Sequence, residues 1–168
     1  MKKFPSFLLT AVCLFCSFIM SAQHFTSIYS PSDTISKHGD GYLARTIQFK
    51  LDKAELIQTP NATLDSMAVF LQKQDSLVIE IGVNGSTHNA AAQCNQLTQA
   101  RAKAIAEYLT AKGINQQRLV PKGYGQHHLL YTDAQLQKVK DINTRELMNQ
   151  RNRRVEFVIL RRDFKETK

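Results

Sequence analysis

The strongest constraint on the fold is one long amphipathic helix, predicted between residues 91 and 112. Its apolar side chains recur at helical spacing, so one face is suited to burial and the other to water. Gly113 then fits the left-handed residue that ends many helices, and Ile114 is placed to pack back on the last turn. The chain must therefore supply an apolar surface for this face to cover. The face consists of Leu97, Ala104, Ile105, Tyr108 and Leu109.

Four segments have the apolar patterns of strands. Residues 47–51 and 77–81 alternate between apolar and polar, which predicts half-buried strands. Residues 155–160 are more continuously apolar, which indicates a central strand. Leu119 begins the remaining strand, and Pro121 indicates an edge position or an early end, because proline cannot donate to a central ladder.

A second helix is predicted between the first two strands, with Asn61 or Thr63 as its N-cap. Residues 126–151 form a polar excursion with helical potential around Glu146. The order β-α-β-α-β, followed by a long connection and a last strand, predicts an α+β sandwich with two main helices on one face of a small sheet. The buried face of the second helix consists of Leu64, Met67, Ala68 and Leu71.

Three short motifs occur in order along the chain. Leu-Thr-Gln-Ala-Arg-Ala at 97–102 lies in the long helix, Gly-Tyr-Gly at 123–125 follows the start of the third strand, and Asn-Arg-Arg-Val at 152–155 opens the last strand. Together they resemble the OmpA-like peptidoglycan-binding domain, found also in peptidoglycan-associated lipoprotein and flagellar motor stator proteins. The resemblance covers about residues 46–160. It implies a β-α-β-α-β-(α)-β sandwich with a mixed four-stranded sheet.

The resemblance also implies a ligand, the diaminopimelate of peptidoglycan stem peptides, whose free end is a zwitterion. In the family an arginine binds the carboxylate and an acid in the preceding loop binds the ammonium. Arg101 matches that arginine, and its planar guanidinium can bind a carboxylate with two hydrogen bonds. Leu97 and Thr98 of the same motif are implied to border the ligand. The alternative for Arg101 is an internal pairing with an acid of the fold.

The loop acid of the family is missing. Counting back from the helix motif without gaps places Ser86 at its position, whereas aligning the loop's Gly-Ser-Thr with the family's Gly-x-Thr places His88 there. No Asp or Glu occurs between Glu80 and Glu107. Asp52 follows a segment similar to the family's Phe-Asp-Phe-Asp-Lys, which borders the pocket, so we expect it to contribute. Its alternative role is turn formation at a strand end.

The first residues have the order of a secretory signal: two lysines, an apolar run from Phe7 to Met20, and then small residues. The run is shorter than the roughly 20 residues that a membrane-spanning helix needs, although an uncleaved anchor helix is the alternative. We expect a signal peptide over 1–22, an extended lead-in over 23–44, an OmpA-like domain over 45–162 and a basic tail over 163–168.

Composition narrows the class of partner. Removing the two signal lysines takes the formal charge from +8 to +6. The export signal and the absence of an aromatic stacking strand argue against nucleic acid, and attraction to the anionic cell wall fits better. Cys94 is the one cysteine after the signal, which excludes an internal disulfide and predicts a buried thiol. We expect a soluble periplasmic protein associated with the cell wall or outer membrane.

The residues favour a binding protein over an enzyme, with no cofactor and no metal. Cys94 and His88 could form a thiol–imidazole pair, but the flanking signatures of such enzymes are missing. His127 and His128 with Asp133 could bind a metal, yet adjacent histidines in a polar loop are usually solvated. The resemblance implies noncovalent peptidoglycan binding that tethers an envelope protein partner to the wall. The alternative is a degenerate domain that has lost wall binding and acts as an adaptor between envelope proteins.

Overall fold

The computed structural model describes residues 41–59, 61–88 and 90–165. The predicted signal peptide, nearly all of the predicted lead-in and the end of the basic tail lie outside the described residues. Within these ranges no helix combines the length and the apolar character that crossing a membrane requires. The elements are β1 (Gly41–Ala44), α1 (Ala62–Lys73), β2 (Val78–Asn84), α2 (Ala91–Ala111), β3 (Leu119–Gly125), α3 (Asp133–Gln137), α4 (Ile142–Asn152) and β4 (Arg154–Arg161).

The four strands form one mixed sheet in the order β1-β4-β2-β3. β4 runs antiparallel to both β1 and β2, whereas β2 and β3 are parallel and are connected through α2. β4 is therefore central and β3 lies at an edge, as the apolar run of β4 and Pro121 in β3 predicted. The predicted α+β architecture with a mixed four-stranded sheet is confirmed.

The first strand lies earlier than the sequence predicted. The prediction of a strand at residues 47–51 is wrong, because β1 occupies Gly41–Ala44 and pairs with β4. Ile47 is buried and Phe49 packs against the core from a loop. The alternating pattern therefore arises because every second side chain is buried, although the backbone does not pair as a strand. Among the described residues of this loop, strand-like pairing is limited to one isolated antiparallel bridge between Phe49 and Leu56.

α1 begins at the predicted asparagine cap. The Asn61 Oδ1 accepts from the backbone N–H groups of Thr63 at 3.1 Å and Leu64 at 3.2 Å, which satisfies donors that the helix itself leaves unpaired. The hydroxyl of Tyr108 in α2 donates to Asp65 in α1 at 2.8 Å and links the two helices. The predicted apolar face is confirmed as buried: Leu64, Met67, Ala68 and Leu71.

α2 also ends as predicted. Its last residue is Ala111, and Gly113 adopts the left-handed φ of 89°. Ile114 is buried, and its N–H donates to the Leu109 carbonyl at 3.2 Å. This is the glycine-terminated helix end that the sequence indicated.

α2 lies so close to β3 that Gly123 has no room for a side chain. A Cβ at Gly123 would lie 2.2 Å from the backbone nitrogen of Gln99. The Gly123 N–H donates to the Gln99 side chain at 2.8 Å, and the Gly125 N–H donates to the Thr98 hydroxyl at 3.0 Å. These contacts fix the first half of α2 over the end of the sheet and so position the 97–102 motif.

The excursion after β3 contains α3 and α4, and α4 confirms the predicted helix around Glu146. Asn152, which is fully buried, accepts from the N–H groups of Leu130 at 2.8 Å and Tyr131 at 2.9 Å, and donates to the Tyr131 carbonyl at 2.8 Å. Arg154 donates to the His128 carbonyl at 3.0 Å. The Asn-Arg-Arg motif therefore pins the excursion to the start of β4.

Candidate functional site

A pocket of about 790 Å³ lies where β2 ends and β4 begins. Its walls come from the loop before α1, the loop after β2, the first half of α2, and α4. All six residues that the sequence analysis assigned to ligand binding line this one pocket. They are Asp52, Ser86, His88, Leu97, Thr98 and Arg101.

Arg101 projects from α2 and is held on two sides. Its Nε donates to the Lys53 carbonyl at 2.9 Å and its Nη2 donates to the Lys50 carbonyl at 3.3 Å. The guanidinium carbon lies 4.9 Å from the centre of the Phe49 ring. A guanidinium has five N–H donors, and among the described residues these two carbonyls are its hydrogen-bond acceptors. The remaining donors are available to an anion in the pocket.

Burial lowers the pKa of Arg101, and the nearby carboxylate of Asp52 opposes that shift. An arginine remains protonated under such conditions. Because charges attract more strongly where water is partly excluded, this cation attracts an anion in the pocket more strongly than an arginine in bulk water would.

Asp52 lies at the tip of a tight turn. Its φ is 51°, in the left-handed region that aspartate tolerates better than most residues. The Lys53 N–H donates to the Lys50 carbonyl at 3.1 Å and closes the turn. Because Arg101 binds the carbonyls on both sides of Asp52, the turn that carries the carboxylate and the arginine of α2 form one unit.

Ser86 and His88 lie side by side in the loop after β2. Ser86 is buried, and its hydroxyl lies 3.4 Å from the His88 Nδ1. The Ser86 hydroxyl also accepts from the Nη1 of Arg153 at 3.3 Å. The position that the ungapped alignment gives to the missing acid is therefore occupied by a hydroxyl in contact with a cation of the fold.

Glu146 of α4 is a carboxylate in contact with this loop, and it was not assigned to the site from the sequence. Its Oε1 lies 2.5 Å from the Arg153 Nη2 and its Oε2 lies 3.4 Å from the His88 Nε2. The hydrogen bond from Arg153 lowers the pKa of Glu146. The spacing in the sequence could have indicated this pair, because Glu146 precedes Arg153 of the Asn-Arg-Arg motif by seven residues, which is two helical turns.

The two remaining motif residues contribute differently. The Thr98 hydroxyl is already committed to the fold, because it donates to the Cys94 carbonyl at 2.9 Å and accepts from Gly125. Leu97 is partly buried and presents apolar surface to the pocket. Thr98 therefore shapes the wall, while Leu97 can contact a ligand directly.

Asn84, the last residue of β2, also lines the pocket and was not assigned from the sequence. It is 3% exposed, and neither its Oδ1 nor its Nδ2 has a hydrogen-bond partner in the described structure. Buried polar side chains are satisfied in the large majority of cases, so this amide needs an explanation.

The geometry does not assemble a catalytic thiol. The Cys94 Sγ donates to the Ser86 carbonyl at 3.8 Å, and burial raises the pKa of the thiol. His88 instead contacts Ser86 and Glu146. Of the histidines that the sequence analysis weighed as metal ligands, His128 stacks on Tyr124 with ring centres 4.2 Å apart. Within residues 41–59, 61–88 and 90–165, no group of three His, Cys, Asp or Glu side chains could hold a metal ion.

This combination of fold, motif and pocket defines a class of protein. The OmpA family model matches residues 48–143, which is more than half of the chain, and the chain belongs to that family. The OmpA-like family is known for binding peptidoglycan, and its members are cell-envelope domains that are typically not enzymes. A comparison with curated proteins found no match.

Solved structures share the fold at low sequence identity. The peptidoglycan-associated lipoprotein from Burkholderia pseudomallei is 20% identical, with a TM-score of 0.55, over 67% of this chain and 87% of that chain. A MotB-like protein from Desulfovibrio vulgaris is 20% identical, with a TM-score of 0.58, over 76% of both chains. An outer membrane protein from Borrelia burgdorferi B31 is 21% identical, with a TM-score of 0.54, over 74% of this chain and 92% of that chain.

Proposed function

We propose that this domain binds peptidoglycan noncovalently, through the diaminopimelate zwitterion of a stem peptide. The observation that carries the proposal is the position of Arg101, a partly desolvated cation with donors to spare in the wall of a pocket. The pocket is large enough for the end of a peptide side chain and its neighbouring backbone, and it combines charged and apolar walls.

In this proposal Arg101 receives the ligand's carboxylate. Its bonds to the 50–53 turn restrict its side chain, so little rotamer entropy remains to be lost when the carboxylate binds. Charge-assisted hydrogen bonds are the strong ones, and arginine forms them in a fixed planar geometry. Leu97 covers the aliphatic part of the ligand's diaminopimelate side chain.

The ligand's ammonium is bound on the side formed by Asp52, Glu146 and the loop after β2. Losing the family's loop acid removes about 1.5–3 kcal/mol of charge-assisted bonding, or roughly ten- to hundredfold in affinity. Glu146 offers a second carboxylate beside His88, close to where that acid is missing. It supports the proposal because two carboxylates line the pocket although the loop itself has none.

A second function, that of an adaptor between envelope proteins, is favoured by one observation. Arg153 bridges Ser86 and Glu146, so a cation of the fold stands where the ligand's ammonium would bind. If the ion pair between Arg153 and Glu146 does not open, the pocket cannot accept a zwitterion, and the domain has lost wall binding. Under either function we propose a periplasmic location after export, with an envelope protein as the tethered partner.

Sedimentation with purified sacculi distinguishes the two functions. We expect the mature chain to co-sediment with diaminopimelate-containing sacculi and to be released by free diaminopimelate. Arg101→Ala should abolish the binding. Lys103→Ala is the matched control, since it removes one positive charge from an exposed position of the same helix. Equal loss in both variants would indicate nonspecific attraction of a basic protein to the wall, and the adaptor function would then be the better account.

A further inference from the structure

In the described part of the fold, the side-chain amide of Asn84 is buried with both of its polar atoms unpaired. Three other buried asparagines use their side chains: Asn61 caps α1, Asn149 accepts from the Thr87 hydroxyl at 3.4 Å, and Asn152 pins the excursion. Asn84 is equally buried and uses neither amide atom. Leaving such a group unpaired is costly, and a ligand bound in the pocket would remove that cost by pairing with it.

Asn84 lines the pocket from the last position of β2, between two neighbouring strands. The pairing of β2 with β3 shifts register between Val83 and Asn84, so that Asn84 pairs with Gly125. On its other side Asn84 pairs with Arg154 of β4. The extra residue of this irregularity is Tyr124 of β3, and irregularities of this kind are common beside binding sites. Asn84 thus has a strand partner on each side through its backbone, and its side-chain amide takes no part in that pairing.

We propose that Asn84 binds an amide group of the ligand, either a peptide bond or a carboxamide. An asparagine side chain offers one acceptor and one donor side by side. A carboxylate would leave Oδ1 unpaired, and an ammonium would leave Nδ2 unpaired, whereas an amide satisfies both. The charged ends of the ligand are already matched by the guanidinium and carboxylate groups of the pocket.

The inference rests on the proposed function, because a stem peptide supplies both the charged end and the amide. It deepens that function by dividing the ligand into two parts. Arg101 and the carboxylates select the zwitterion, while Asn84 selects the peptide that carries it. Free diaminopimelate has no amide and should not depend on Asn84 at all.

The test pairs Asn84→Leu with Asn61→Leu. Leucine has the same branching as asparagine without its polar atoms, and both asparagines are 3% exposed. Removing an unpaired buried amide should leave the melting temperature unchanged or raise it, while binding of a synthetic stem tripeptide ending in diaminopimelate weakens about tenfold or more. Asn61→Leu should do the opposite, lowering the melting temperature through loss of a helix cap and leaving tripeptide binding unchanged.

Asn84→Asp identifies the chemical group. It keeps the acceptor and loses the donor, so tripeptide binding should weaken while binding of free diaminopimelate changes less. A gain in tripeptide affinity would show that Asn84 faces the ammonium, and would overturn the proposal. Loss of free diaminopimelate binding in Asn84→Leu would overturn it as well.

The failure of this inference is distinguishable from failure of the proposed function. If the wild type binds the tripeptide and Asn84→Leu binds it equally well, the amide assignment is wrong and the function stands. If the wild type binds neither the tripeptide nor sacculi, the function is wrong and this assignment falls with it. A marked loss of stability in Asn84→Leu would show that the side chain serves the fold, which also contradicts the proposal.

Discussion

Arg101 of α2 donates from its Nε to the backbone carbonyl of Lys53 at 2.9 Å. The same guanidinium therefore holds the turn that carries Asp52 and offers its remaining donors to the pocket. The two roles that the sequence left open for Arg101, ligand binding and internal pairing, are not exclusive, because the internal partners are carbonyls rather than an acid. A substitution at Arg101 is accordingly expected to affect both the turn and the ligand.

Gly123 should be one of the least replaceable residues of the fold. We expect Gly123→Ala to destabilise the domain by about 1–3 kcal/mol, the range for overpacking a close contact, because the new Cβ would meet the backbone of α2 at Gln99. Urea denaturation measures the change. Gly41→Ala is the control, since a Cβ there meets its neighbours at ordinary distances of 3.6 Å and more. Equal stability of both variants would contradict the packing of α2 on β3.

Restoring the missing acid should strengthen stem binding at one of the two aligned positions. We expect a gain of about 1.5–3 kcal/mol for Ser86→Asp, the range for charge-assisted bonds, in calorimetric titrations with a stem tripeptide. Ser86 is buried and faces a cation, which favours a carboxylate there. His88→Asp should give no gain, because His88 lies 3.4 Å from Glu146 and the two carboxylates would repel.

That gain should disappear when Arg101 is also replaced, since both groups must bind the same zwitterion. A gain that persists in the double variant would mean that the new acid acts elsewhere. No gain from either single variant would indicate a remodelled pocket and would favour the adaptor function.

Glu146 should contribute to binding only when the ligand carries its ammonium. We expect Glu146→Gln to weaken binding of the stem tripeptide about ten- to hundredfold, and to leave nearly unchanged the binding of a tripeptide in which that ammonium is replaced by hydrogen. Glu55→Gln is the control, because Glu55 is an exposed carboxylate paired with Lys50 at 2.6 Å and does not line the pocket. Equal weakening for both peptides would show that Glu146 acts by holding the loop.

The pH dependence of stability should report the Glu146–Arg153 pair. The folded-state pKa of Glu146 lies below its ordinary value of 4.5 because Arg153 donates to it. The pair's contribution is therefore complete above about pH 4.5 and is lost as the pH falls through the lower, folded pKa. Denaturation curves at several pH values should show that the free energy of unfolding falls less steeply at acid pH in Glu146→Gln and in Arg153→Gln than in the wild type. Parallel curves for all three would contradict the pair.

The sequence predicted correctly those features that depend on residues close to one another in the chain or on the spacing of one apolar face. The cap at Asn61, the face of α1 and the glycine end of α2 are of this kind, because each depends on neighbouring residues. The first strand was misplaced because Ile47 and Phe49 alternate into the core from a loop, and a period of two does not reveal whether backbone groups are paired.

The site was predictable where it follows a motif and not where it depends on tertiary contacts. Arg101 and Ser86 come from motif spacing. Glu146 reaches the pocket because Asn152 pins the excursion, a contact that joins distant segments. Asn84 could not be identified from the sequence either, because only the folded environment shows that its amide lacks a partner.

If Arg101 binds the carboxylate of a diaminopimelate stem, calorimetric titration of a stem tripeptide should detect it. We expect saturable one-to-one binding to the mature chain, at least tenfold weaker in Arg101→Ala and unchanged in Lys103→Ala. Arg101→Ala should remain folded by circular dichroism and lose about 1–3 kcal/mol of stability from its two bonds to the 50–53 turn. Equal affinities in the wild type and a folded Arg101→Ala, or no binding by the wild type, would contradict carboxylate binding by Arg101.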